Sequence, residues 1–312
     1  MTATQFALMA AQLLVLLVLP IVMLGLINRV KSIWAGRRGP RVLQPLADMR
    51  RLLRKQPVYS AVTSELFRLG PVVALATGLV AGMLTPMLGP LSPLAFAYDF
   101  IAFAYILALG RVFLMLAALD TGSAFEGMGA AREATYGALI EPALFLVLGA
   151  LLLASGNPTF AGLLSWSELG PFALGVKALC FVVLLIVLQV EAARMPIDDP
   201  NTHLELTMIH EVMILDHSGP DLAILQYAAG LKLSVCAALI AALLNPVSWT
   251  TQPWLAAGVA LALTLAVAVL VGTIESLIAR VRMRAIPRYT AIAMIAGALA
   301  LILVVLRSKG SP

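Results

Sequence analysis

Between Glu191 and Asp221 the chain reads EAARMPIDDPNTHLELTMIHEVMILDHSGPD. Seven of its sixteen carboxylates fall there: Glu191, Asp198, Asp199, Glu205, Glu211, Asp216 and Asp221. So do its three histidines, His203, His210 and His217, beside a single cation, Arg194. Apolar runs long enough to cross a bilayer flank the stretch. Ionisable groups near lipid must face water, protein or one another. Carboxylates gathered at low dielectric raise one another's pKa and so can hold and pass protons near neutral pH. The plainer alternative is a solvated loop. Pro196 and Pro200 interrupt regular helix. A helix is predicted from Asn201 or Thr202 to about His217, closed by Gly219 and Pro220. On it the histidines recur every seven residues, about 10 Å of rise apart, too far for two to share a metal. No HExxH string occurs either, which argues against a metal site. Glu205 and Glu211 sit on different faces of that helix, yet with Asp198 and Asp199 they can line one hydrated cavity.

The elements that must position this cluster follow from composition. The 312 residues are 61% hydrophobic and 12% charged, against about a quarter charged in soluble domains, and mean hydropathy is +0.98. Continuous apolar runs of about 20 residues predict an all-α polytopic membrane protein, not a barrel. One membrane domain over residues 1–312 is expected, with eight spans at roughly 5–27, 70–89, 97–119, 137–155, 172–190, 222–244, 254–278 and 286–306. Without a basic n-region or a small-residue cleavage site, the N-terminus reads as a first span. Cys180 and Cys236 lie inside spans with no metal-ligand or redox spacing.

Basic residues fix the orientation. Residues 28–69 hold ten Lys/Arg, and Arg132, Arg194, Arg280, Arg282, Arg284 and Arg288 bring one side to sixteen of twenty-one. The other side holds Arg307 and Lys309. The positive-inside rule places both termini outside and the loops at about 28–69, 120–136, 191–221 and 279–285, the acidic ones among them, in the cytoplasm. This clustering between spans does not point to nucleic acid. In the first loop a short interfacial helix is predicted from Pro45, with Leu46, Met49 and Leu53 on one face and Arg50, Arg51, Arg54 and Lys55 around the other. It serves either attraction to anionic membrane lipids or docking of a soluble partner. The second loop, with FEGMGAAR, lacks the Gly-Lys-Ser/Thr and preceding strand of a phosphate loop. Glu141 precedes Pro142 at the mouth of span four, a first-turn position. Outer loops are short, and no internal repeat is evident.

Charges inside spans divide into two groups. Arg111 and Lys232 sit midway through spans three and six, where a cation costs roughly 2.5–3.5 kcal/mol. They require partners or hydration, and a polar interior path is expected. Lys177, Asp99 and Glu275 lie nearer span ends and read as snorkelling groups.

The string ARMPIDDPNTHLELTMIHE, continued by SGPDLAILQYA, resembles the family that unites formate hydrogenlyase subunit 4 with subunit 1 of respiratory complex I. GRRGPRVLQPLADMRRLLRK and AFEGMGAAREATYGALIEP resemble that family's first- and second-loop motifs, and the likeness runs through essentially the whole chain. The resemblance implies a bundle of tilted helices that connects a soluble redox module to ion-pumping membrane subunits. Ile197-Asp198-Asp199 replaces the Phe-Asp pattern usual in the quinone-reducing branch, so the hydrogenase branch is the closer likeness. Carried over, it implies no cofactor or redox centre on this chain. A nickel–iron centre and iron–sulfur clusters would sit on soluble large and small hydrogenase subunits and an iron–sulfur protein. Antiporter-like membrane subunits would be neighbours, in the bacterial cytoplasmic (inner) membrane. It also implies a proton path through Glu133, Glu141, Glu191, Asp198, Asp199, Glu205, Glu211 and Asp216. The soluble-module interface would comprise Arg37, Arg38, Gln44, Asp48, Arg132 and Arg194. A quinone-chamber subunit is the alternative; a stand-alone transporter and a passive anchor are the readings from other classes.

Overall fold

The computed structural model describes residues 3–89, 92–166, 168, 170–198, 208–249 and 251–310. Among them the chain forms α1 (Ala3–Trp34), α2 (Gln44–Leu53), α3 (Glu65–Leu84), α4 (Asp99–Asp120), α5 (Ala124–Ser155), α6 (Phe160–Leu164), α7 (Pro171–Glu191), α8 (His210–Met213), α9 (Gly219–Leu244), α10 (Pro253–Leu277), a 3₁₀ turn at Met283–Ala285 and α11 (Ile286–Gly310). Eight of these are long and apolar enough to cross a bilayer. The protein is an all-α, multi-pass membrane protein. Helices suit lipid because each satisfies its own backbone N–H and C=O groups.

α9 is the axis of the bundle. Of its most apolar window 72% is buried, against 33–44% in the other spans. Its sequence LKLSVCAALIAALL offers Ser, Cys and Ala on every side, and small residues let neighbouring helices approach closely. α1, α3, α7 and α10 pack around it, and α2 rests against its N-terminal part. α3 and α4 form a close pair, with Gly70 against Ala117 and Gly110 against Thr77. α5, α7 and α11 complete the other flank.

Several expected boundaries change for identifiable reasons. α1 continues beyond residue 27 to Trp34 and closes at Gly36, whose φ of +69° suits glycine. The second span begins at Glu65 because Ser64 caps it. Ser64 Oγ accepts from Leu66 N–H at 3.2 Å and donates to Asp120 Oδ1 at 2.8 Å, fixing α3 to the end of α4. The region expected as a second loop, about 120–136, is helix from Ala124 onward, so α5 has 32 residues. Pro142 therefore lies inside α5 and not in its first turn, where it leaves the Ala138 carbonyl without its helical donor. Alanine and glutamate favour helix there, and Gly129 is tolerated because α8 packs on it: a Cβ would crowd Val212 and the Ile209 carbonyl.

α2 forms as predicted from Pro45, with Met49 buried; Leu46 and Leu53 are 48% and 57% exposed, so only part of the expected apolar face turns into the protein. The predicted 202–217 helix is corrected over its described part. Met208 and Ile209 are non-helical, α8 covers only four residues, and a turn follows. Asp198 explains this break, because its Oδ2 accepts from the N–H groups of Ile209 and His210 at 3.0 and 3.1 Å. His210 and His217 are consequently not on one helical face. His203, Asp199 and Glu205 lie outside the described residues.

His217 instead stacks on Phe67, ring centroids 3.9 Å apart at 7°. Burial holds its pKa down to about 4, with Asp221 opposing the shift. An unfolded histidine titrates near 6.5. As pH falls through 6.5 the unfolded chain binds the proton first, so stability is lost between pH 6.5 and 4, on the order of 2 kcal/mol by pH 5. His217→Phe keeps the stack and removes that loss. Thermal unfolding of both proteins in detergent at pH 7 and pH 5 checks this: the variant should lose less between the two, and equal losses would refute the assignment.

Candidate functional site

α4 places Arg111 at its mid-length, 6% exposed, facing α5 and α7. It fits there because α5 presents Gly137, whose missing Cβ leaves the space the guanidinium occupies. Three carboxylates meet it. Arg111 Nη1 donates to Glu141 Oε1 at 2.6 Å, Nε lies 3.5 Å from Glu133 Oε1, and Nη2 donates to Glu191 Oε1. Lys232 of α9 approaches the other Glu191 oxygen at 3.6 Å. The two mid-span cations thus share one carboxylate. A guanidinium can address several carboxylates at once through its fixed fork of donors. Glu133 and Glu191 are buried, whereas the Glu141 side chain is 39% accessible.

A second ionic cluster holds the loop after α7. Glu275 of α10, its side chain wholly buried, lies 2.9 Å from Lys31 of α1 and 3.3 Å from Arg194. Arg280 lies 3.1 Å from Asp198. Glu275 is therefore not the snorkelling group expected; it joins three segments. Asp99 is also corrected: it is fully buried, and its Oδ1 accepts from Phe160 N–H at 2.6 Å, tying α4 to α6. Lys177 stands apart from both clusters, its Nζ 5.6 Å from the centroid of the Trp166 ring.

Two cavities connect these groups. The larger, of about 520 Å³, opens between α1, α2, α9 and residues 192–198 and 210–214, with Asp48, Arg194, Asp198, His210 and Glu211 among its lining. The smaller, of about 30 Å³, reaches Arg111, Glu191 and Lys232 between α3, α4, α7 and α9. The larger keeps apolar wall as well, including Leu24, Met49 and Leu222.

The remaining candidates divide by place. Gln44 Nε2 donates to Asp48 Oδ1 at 3.0 Å on α2. Arg132 Nη1 donates to the Met208 carbonyl at 2.8 Å, fixing α5 to the segment before α8. Arg37 and Arg38 are exposed in the turn after α1. Asp216 is exposed; its N–H donates to Glu126, a fully buried carboxylate that sequence reasoning passed over. Arg280 and Lys31 were also unforeseen as partners, since their carboxylates lie on distant segments. Among the described residues no group of three or more His, Cys, Asp or Glu could hold a metal.

Eight spanning helices around an arginine with three carboxylate partners, reached from a polar cavity at one end, define a membrane subunit built to keep charge inside the bilayer. The sequence model of the NADH dehydrogenase family matches residues 7–306, and the chain belongs to that family. It is 34% identical over 236 residues to Hydrogenase-4 component C of Escherichia coli (strain K12), covering 76% of this chain and 74% of that protein. It is 30% identical over 292 residues to Formate hydrogenlyase subunit 4 of the same organism, covering 89% and 92%. A chain of the membrane-bound sulfane sulfur reductase, an archaeal respiratory membrane complex, superposes with a TM-score of 0.80 at 19% identity, over 96% of this chain and 99% of that one. That likeness shows a shared fold.

Proposed function

We propose that this chain is the membrane subunit of a hydrogenase-type oxidoreductase complex in a bacterial inner membrane. It anchors a soluble nickel–iron and iron–sulfur module, made of large and small subunits with an iron–sulfur protein. It routes protons towards antiporter-like membrane subunits. One observation carries the reading: a polar cavity abuts an ionic network of Arg111, Glu133, Glu141, Glu191 and Lys232, with Arg111, Glu133 and Glu191 buried. A passive anchor has no need of such a network, since central cations in lipid are costly. Relatives named as hydrogenase components support the soluble partner. The excess of basic residues at the cavity end supports a cytoplasmic face there, with both termini outside. On that face Arg37, Arg38, Gln44, Asp48, Arg132 and Arg194 form the docking side, within a single membrane domain. The nickel–iron centre and clusters belong to the partners, and this chain's residues hold and pass the proton. Asp199, Glu205 and Asp216 are assigned to the same path, with Glu211, on the family resemblance.

Mild-detergent purification of the tagged chain, with mass spectrometry and a hydrogen-evolution assay, tests the partners. Recovery of a large subunit with paired nickel–iron cysteine motifs is the expected result; its absence rejects the reading. In inverted vesicles carrying the complex, Glu191→Gln should lower proton uptake per hydrogen evolved by at least about tenfold, with hydrogen evolution by the soluble module retained. Unchanged uptake would remove Glu191 from the path. The apolar walls of the larger cavity favour a second reading, a quinone chamber. NADH-oxidising partners and inhibition by quinone-site inhibitors, without hydrogen, would select it.

A further inference from the structure

The two cavities meet at three described residues, Ala192, His210 and Ala229, which line both. Two are alanines with no exchangeable side-chain proton. The third carries an imidazole, which accepts a proton at one nitrogen and releases one from the other. On the basis of the proton-path reading above, we propose that His210 is the relay through which protons pass between the larger cavity and the buried Arg111 network.

The local geometry supports a held, neutral relay. The backbone N–H of His210 donates to Asp198 Oδ2, and Asp198 is in turn held by Arg280, so the ring is fixed at the junction by its main chain. Its Nε2 is shut off from the surface and has no hydrogen-bond partner among the described residues. Asp198, Arg194 and Glu211 line the larger cavity with it, and Glu191, Arg111 and Lys232 line the smaller one. Burial, with Lys232 and then Arg194, holds its pKa down to about 4. At neutral pH it is therefore an uncharged ring with one bare nitrogen and one N–H. The smaller cavity, which His210 lines together with Arg111, Glu191 and Lys232, has room for about one or two waters. In each passage an N–H bond forms on the bare nitrogen and the opposite N–H bond breaks. The tautomer then resets, and nothing is oxidised or reduced. A ring of low basicity passes a proton without trapping it.

The test uses inverted vesicles carrying the whole complex, with reduced methyl viologen as donor. Proton uptake and hydrogen evolved are read in the same sample for wild type, His210→Gln, His210→Ala and Glu191→Gln. The relay predicts at least about a tenfold lower uptake per hydrogen in both His210 variants. It also predicts restoration of His210→Ala, and not of Glu191→Gln, by millimolar imidazole. If Glu191→Gln abolishes uptake while His210→Gln leaves it unchanged, the relay falls and the proton path stands. If both His210 variants fail and imidazole restores nothing, the role of His210 is structural and the relay falls. Wild-type vesicles that evolve hydrogen without uptake reject the proton path and the relay together.

Discussion

Arg111→Met is expected to destabilise the protein by about 3–5 kcal/mol, the usual consequence of removing one partner from a buried ionic cluster. Glu133 and Glu191 would remain buried, and of the network's cations only Lys232, 3.6 Å from Glu191, would be left. Arg111→Lys should not restore the site, because an ammonium on a flexible stem cannot span carboxylates on α5 and α7 through a planar fork. The space left by Gly137 is likewise shaped for a guanidinium. Adding Glu191→Gln to Arg111→Met removes one orphaned charge, and the double variant should recover about 1–3 kcal/mol of the loss. The readouts are the amount of chain in the membrane and the thermal transition in mild detergent. A transition at the wild-type temperature for Arg111→Met would show that the cluster does not hold the bundle together.

Glu275→Ala is the second large effect, again about 3–5 kcal/mol, because it leaves Lys31 and Arg194 facing each other without their shared carboxylate. Glu275→Gln should cost less, since an amide oxygen still accepts from one cation. The consequence reaches the larger cavity, because Arg194 lines it and the segment 192–198 shapes its wall. Loosening that wall should increase proteolysis between α7 and α8 in the Ala variant more than in the Gln variant. Equal stability and equal proteolysis in wild type and Glu275→Ala would overturn the clip.

The sequence by itself determined the class of fold. Runs of apolar residues long enough for a bilayer leave helix as the state that satisfies the backbone, and their number is countable without a structure. It also singled out Arg111 and Lys232, because a mid-span cation is too costly to stand alone. Glu141, Glu133 and Glu191 could be named as acidic residues of the same system. That all three converge on Arg111 could not be read, because Glu141 and Glu191 lie 30 and 80 residues from it in the chain.

Only the tertiary structure decided which side of each helix looks inward. In a soluble helix the buried stripe is apolar and the opposite face polar, so rotation is legible. In a membrane span lipid and protein core are equally apolar, and packing alone sets the rotation. For that reason Asp99 and Glu275, read as snorkelling groups, proved to be buried ties between segments. For the same reason the extension of α5 across FEGMGAAR became visible only once α8 was seen packing on Gly129. His210 is the clearest case. Its spacing from His203 and His217 predicted a shared helical face, but the carboxylate of Asp198 captures the N–H groups of Ile209 and His210 and leaves α8 only four residues long. The result places the imidazole where two cavities meet, a position that depends on contacts between segments and on no local pattern.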